Sequence, residues 1–163
     1  MGYICSDCSL SVNESRDFKA IRDLILHDDI SSGLLSPQTN KEIVFYESEE
    51  RLDNEYIIYY LMKVNDEIAG FCLILNLFNH DEHDEKCFLV DIGILKKFRG
   101  KQAYQLAKIA LNKFLDEEKP NRLLGLIKIK NKKALYFAMK VGFEIIKKDD
   151  VHYFLEVKNG QFS

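Results

Sequence analysis

The chain has 163 residues, a net charge of -3 and an ordinary mixture of apolar and charged residues, enough to bury one core without covalent staples. That charge excludes bulk attraction to nucleic acid, and no run of eighteen apolar residues is present to span a bilayer as a helix. With two prolines and no tryptophan, the sequence contains no proline-rich linker.

The opening "MGYICSDCSLSV" has neither a basic start nor a long apolar run, so no secretory leader is expected and the protein is read as cytoplasmic. Residues 3–11 read as a first strand. Residues 14–29 carry Phe18, Ile21, Leu24 and Ile25 at helical spacing, with Asn13 or Ser15 as the expected cap. Residues 30–55 show no sharp pattern; "SSGLLSPQTNKE" suggests loops and a short helix, and "IVFY" a brief strand.

The pattern then sharpens. "YIIYYLMKV" and "EIAGFCLILNLF" read as strands joined around Asn65-Asp66, a hairpin signal. "NHDEHDEK" is a charged loop, and "CFLVDIGIL" a further strand. From Lys101 to Phe114 a helix is expected to bury Ala103, Leu106, Ala107, Ala110, Leu111 and Phe114. "RLLGLIKI" returns as a strand. Asn131 then caps a helix, "KKALYFAMKV", which Gly142 stops. "FEIIKK" and "VHYFLEV" close the chain as a hairpin around Asp149-Asp150. Helices between the late strands imply parallel pairing there, and the hairpins imply antiparallel pairing elsewhere. Neither an internal repeat nor a domain boundary is visible, so residues 1–163 read as a single domain.

Chemistry concentrates in "DIGILKKFRGKQAY", Asp91 to Tyr104. A helix start leaves N–H groups unpaired and carries partial positive charge, and glycine lets an anion approach them. Lys96, Lys97, Arg99 and Lys101 surround one such turn; by themselves they also suit a solvated basic turn. Asp91 shares a strand face with Gly93 and Leu95, opposite Val90, Ile92 and Ile94. An acid in so apolar a strand is either a base of raised pKa facing an acceptor cleft or half of an ion pair with a nearby Arg or Lys. Of the four cysteines, Cys72 and Cys87 lie in apolar runs and read as small buried hydrophobes. Cys5, Cys8, His80 and His83 have residue types that suit zinc, but the pairs are far apart and the histidines sit among acids. No metal is expected. His27 falls near a helix C-terminus and His152 on the last strand.

"DIGILKKFRGKQAYQLAKIAL", followed by "IKIKNKKALYFAMKVGFE", resembles the GNAT superfamily of N-acetyltransferases. In that family a strand leads to Arg/Gln-x-x-Gly-x-Gly/Ala at the start of a helix whose amides hold the pyrophosphate of acetyl-CoA. Arg99 matches the first position, and Asn131, Ala134, Gly142 and Phe143 match the second motif. The resemblance implies an α/β (α+β) fold, with a mixed, mostly antiparallel central sheet of six to seven strands and about four helices packed on both faces. It implies acetyl-CoA as cosubstrate, held by Leu95, Arg99, Gly100, Lys101, Gln102, Ala103, Tyr104 and Asn131, and a primary amine of a protein or small molecule as acceptor. Asp91, from the strand pattern above, is the candidate base, and a homodimer is a compatible assembly. Three positions depart from the family pattern: Gln102 and Tyr104 replace loop glycines, and Ala138 stands where the family often has a thiolate-protonating tyrosine. Tyr136 lies about 200° round the helix from that position. The wording is also similar to small GNAT-like proteins of tailed phages. That likeness implies the alternative of a non-catalytic protein of virion or head assembly, or an interaction module with virion proteins as partners.

Overall fold

The computed structural model describes residues 3–4, 9–14, 18–31, 57–76 and 86–157. In chain order these form β1 (Tyr3–Ile4), β2 (Leu10–Glu14), α1 (Phe18–Leu26), α2 (Asp28–Ser31), β3 (Ile57–Val64), β4 (Glu67–Asn76) and β5 (Cys87–Ile94). A short 3₁₀ turn (Lys96–Phe98) leads to α3 (Lys101–Glu118), β6 (Arg122–Lys128), α4 (Lys132–Val141), β7 (Phe143–Lys148) and β8 (His152–Val157). One eight-stranded sheet runs in the order β1-β2-β3-β4-β5-β6-β8-β7. It exceeds the expected six to seven strands because the segment read as one strand over 3–11 contributes two, paired antiparallel at Tyr3–Val12 and Ile4–Ser11.

The local signals explain most of the chain's turns. Asn65 and Asp66 both take positive φ, 50° and 66°, the backbone of a tight hairpin turn that these two side chains tolerate. The second hairpin closes where the Asp149 carboxylate accepts from the amides of Val151 and His152, at 2.8 and 2.6 Å. The Asn131 side chain accepts from the Ala134 amide at 3.1 Å, satisfying one of the donors that α4 leaves open. Gly142, at φ 137°, ends that helix by donating to the Ala138 carbonyl.

The N-terminal helix is shorter than its periodicity suggests. Residues 10–14 are held in the sheet, with Leu10 opposite Val64 and Glu14 opposite Tyr60. Asn13 is therefore a strand residue and cannot cap α1, which begins at Phe18; Ser15 lies outside the described residues, as do the expected features over 32–55. His27 falls in the break between α1 and α2, where its Nδ1 accepts from the Asp29 amide at 3.1 Å.

Two cores lie on opposite faces of the sheet. On one, Tyr59, Leu61, Phe71 and Leu73 pack against Ile21, Leu24 and Ile25 of α1 and Ile30 of α2. On the other, Tyr60, Met62, Cys72, Ile74, Phe88 and Val90 pack under α3, whose Leu106, Ala107, Ala110, Leu111 and Phe114 are fully buried. Phe88 and Phe114 meet edge to face, ring centroids 4.8 Å apart. Lys113 is the buried charged residue among the described ones. It pairs with Glu117 one turn on, and its Nζ lies 5.2 and 5.5 Å from the Tyr3 and Tyr60 ring centres. No helix among the described residues is long and apolar enough to cross a membrane.

Candidate active site

The sheet changes character at one place. β4 and β5 pair antiparallel from Gly70–Ile94 to Asn76–Phe88. β5 and β6, joined through α3, are parallel neighbours and pair at Cys87–Arg122, Phe88–Leu123, Leu89–Leu124 and Val90–Gly125. The ladder stops there. β5 continues to Ile94 beside β4, and β6 continues to Lys128 beside β8, with Leu126 opposite Phe154 and Lys128 opposite His152. The parallel pair thus forks toward its C-terminal ends, where α3 and α4 begin.

A cleft with a volume of about 100 Å³ fills this fork. Asp91, Ile92, Leu126, Ile127 and Lys128 come from its two prongs, and Ala134, Phe137, Ala138 and Val141 from α4. Asp91 is the first residue of β5 past the last pair. By strand alternation it shares a face with Gly93, where an added Cβ would sit 2.6 Å from the Phe71 ring and 2.9 Å from Ile30. The carboxyl therefore belongs to the face covered by α1 and α2, opposite α3. Burial pushes its pKa up to about 7. The sequence left open an ion pair with a Lys or Arg; among the described residues no cation and no hydrogen-bond donor meets this carboxylate. Its one marked neighbour is Cys72, fully buried, whose thiol burial pushes above its ordinary range.

The turn between β5 and α3 separates the expected ligand-holding residues by role. The Leu95 amide, expected to face a ligand, donates instead to the Ala69 carbonyl at 2.8 Å, because β4 and β5 remain paired up to that point. Arg99 is scaffold. Its amide donates to Lys96, its Nε to the Ile94 carbonyl at 3.0 Å, and its Nη2 to the Asp29 carbonyl at 2.5 Å. The last bond ties the turn to α2, as does the Asp29 carboxylate, which accepts from the Lys96 amide at 2.9 Å. The Tyr104 amide makes the helix's first bond, to the Gly100 carbonyl at 3.4 Å. Asn131 serves as the cap of α4.

That leaves the start of α3. Gly100 is its N-cap, with φ 112° and ψ -141°, a conformation that side-chain-bearing residues rarely adopt. No side chain caps the helix, and an added Cβ at Gly100 would meet nothing within 4 Å. Lys101, Gln102 and Ala103 occupy the first helical positions, whose N–H groups have no acceptor one turn back. Their amides, with the partial positive charge of the helix end, are donors that the helix itself does not use. The Tyr104 ring leans onto α4, stacked on Phe137 at 4.9 Å and 22°, with the Lys140 Nζ 4.5 Å from its centre. Tyr104 thus seals the α3–α4 seam beside the fork, and β5 and β6 remain apart. Ala138 lines the cleft, while Tyr136 is 68% exposed on the outer side of α4.

The fork itself had no sequence signal. Both strands read as continuous apolar runs, and nothing in either marks where their mutual pairing ends. Cys5, Cys8, His80 and His83 all lie outside the described residues.

A mixed sheet whose central parallel pair splits beside two helix N-termini is the frame that these residues build. The chain belongs to the acetyltransferase (GNAT) family, whose model matches residues 19–143. Among solved structures, the fold is similar to that of an uncharacterised protein from Bacillus halodurans, with a TM-score of 0.74 and 12% identity over 99% of this chain and 91% of that one. It is also similar to the spermidine N-acetyltransferase of Vibrio cholerae in complex with CoA and spermine (TM-score 0.68, 12% identity, 91% and 95% covered). A third is the Campylobacter jejuni N-acetyltransferase PseH in complex with acetyl coenzyme A (0.63, 16%, 92% and 99%). No curated protein matches the chain.

Proposed function

We propose that the protein transfers an acetyl group from acetyl-CoA to a primary amine of a small molecule or protein. The observation that carries this reading is the fork beyond Val90 and Gly125, with a half-buried carboxylate at its vertex that meets no cation among the described residues. The amides of Gly100 to Ala103 suit the donor's diphosphate, because no side chain occupies that helix start and Gly100 leaves the approach open. The thioester end then lies in the cleft between the prongs.

The acceptor approaches from the face of α1 and α2, where Asp91 stands. Asp91 takes a proton from the amine, directly or through one water, as nitrogen attacks the thioester carbon. The C–N bond forms, the C–S bond breaks, and the departing thiolate takes its proton from water, since Ala138 supplies none. A carboxyl titrating near 7 is matched to this task at neutral pH.

Calorimetric titration with acetyl-CoA, followed by an acetylation assay over a panel of primary amines, tests the reading. Ligand at 100 times its dissociation constant stabilises the fold by about 2.7 kcal/mol. Absence of any heat or thermal shift at millimolar acetyl-CoA would remove the donor site and the transferase with it. One observation favours a second reading, a non-catalytic phage protein of virion assembly: an alanine, Ala138, faces the cleft where the family often carries an acid. Acetyl-CoA bound tightly, with no amine acetylated, is the result that reading expects.

A further inference from the structure

The cleft is lined mostly by apolar residues. We take as its inner end the most buried part of the lining, Val90, Val141, Phe143 and Leu155, with Gly125 and Ala138 beside them. Val90, Val141, Phe143 and Leu155 are all buried, and Leu155 is wholly inaccessible. Asp91 and Lys128 are the polar residues of the lining, and both come from the prongs.

Two small residues keep this end empty. At Gly125 an added Cβ would meet Phe143 at 3.7 Å and Leu155 at 3.8 Å, ordinary contact distances, so glycine here reflects unused space and not a steric need. On the opposite wall Ala138 presents a single methyl. A cavity needs roughly 10–15 Å³ to admit one water, so about 100 Å³ accommodates a chain of several carbons.

We propose that the acyl group this site is built to take is longer than acetyl: an unbranched, uncharged chain of about four to six carbons, carried as its CoA thioester. This rests on the acyl-CoA reading above and deepens it. The group that reaches furthest into the fork is whatever the donor's sulfur carries. A methyl leaves the inner wall without contact, whereas an aliphatic tail covers Val141, Phe143 and Leu155. A dicarboxylic acyl group is disfavoured, because among the described lining residues the cation is Lys128, on a prong and away from Val141, Phe143 and Leu155, and an unpaired buried carboxylate is costly. The bond changes are those of acetyl transfer, with C–N formed, C–S broken, and the proton passing from the amine to Asp91 or water.

The test is calorimetry on the full chain with CoA, acetyl-CoA, butyryl-CoA, hexanoyl-CoA and succinyl-CoA. Each methylene moved from water to an apolar wall favours binding by about fourfold, so butyryl-CoA is expected to bind about 15-fold more tightly than acetyl-CoA, and succinyl-CoA no better than CoA. In Ala138→Leu, which fills the inner end, the butyryl-to-acetyl ratio falls toward one. Should that variant not fold, the wild-type chain-length series decides alone. CoA that binds while butyryl-CoA is equal to or weaker than acetyl-CoA overturns the chain-length inference and leaves the acetyltransferase reading standing. Failure of CoA and all four thioesters to bind overturns both.

Discussion

Val90 and Gly125 form the last pair between two parallel strands, and the next residue along β5 is the half-buried Asp91. The fork and the carboxylate are thus one feature. β5 loses a neighbour on one side at the residue where it presents an acid. If Asp91 is the base, kcat/KM for amine acetylation rises with pH through about 7 and then levels off, because only the ionised form accepts a proton. Asp91→Asn removes this limb and lowers the rate by about 10²–10⁴. An unchanged rate and pH profile in that variant would exclude the role.

The same group makes stability depend on pH. Its carboxyl titrates at about 7 in the fold against 3.8 as its ordinary value, so between those limits the folded chain binds the extra proton. The stability linked to that proton is complete below about pH 4 and is lost as pH rises through about 7. The full loss is on the order of 4 kcal/mol at 1.36 kcal/mol per unit, of which roughly 2–3 kcal/mol falls between pH 5 and pH 8. Urea unfolding at pH 5 and pH 8 measures it, and Asp91→Asn flattens this part of the difference between the two.

Gly100 is required by its backbone. At φ 112° and ψ -141° a side chain is strained although the space is open, so Gly100→Ala costs about 1–3 kcal/mol or shifts the turn. Either response disturbs the open amides of Lys101 to Ala103. The expected readout is a weaker acetyl-CoA dissociation constant, by about tenfold or more, alongside a lower urea midpoint.

Arg99 joins three elements through the carbonyls of Ile94 and Asp29. Truncation in Arg99→Ala removes both side-chain bonds and is expected to cost about 1.5–3 kcal/mol, the range for bonds to a charged group. Arg99→Lys restores at most one of the two, since an ammonium lacks the planar fork of the guanidinium. Chemical denaturation of the two variants, with Lys intermediate, checks this.

Asn131 acts on α4 and through it on the cleft wall. Loss of its bond to the Ala134 amide in Asn131→Ala costs about 1 kcal/mol. Asn131→Asp keeps an acceptor at that position and should retain most of the stability, as read by thermal unfolding.

Where the sequence was legible, the determining interactions span a few residues. The Asn65-Asp66 turn, the Asn131 cap, the Gly142 stop and the buried face of α3 each follow from local backbone preference or from a 3.6-residue period. The family resemblance rested on such local wording and gave the fold. It was less informative where a residue's donors are drawn to distant partners: Leu95 donates to Ala69, Arg99 reaches Asp29, and Asn13 is held by β3.

By itself, then, the sequence determined most of the elements from Ile57 onward, their hairpins and the helix start at Gly100, because these depend on side chains close together in the chain. Only the tertiary structure decided that β5 and β6 part after Val90 and Gly125, that Asp91 meets no cation among the described residues, and that Val141, Phe143 and Leu155 line an apolar pocket. Where a strand pair ends is set by what each strand bonds on its other side. β4 holds β5 and β8 holds β6, and that competition is between residues far apart in the chain.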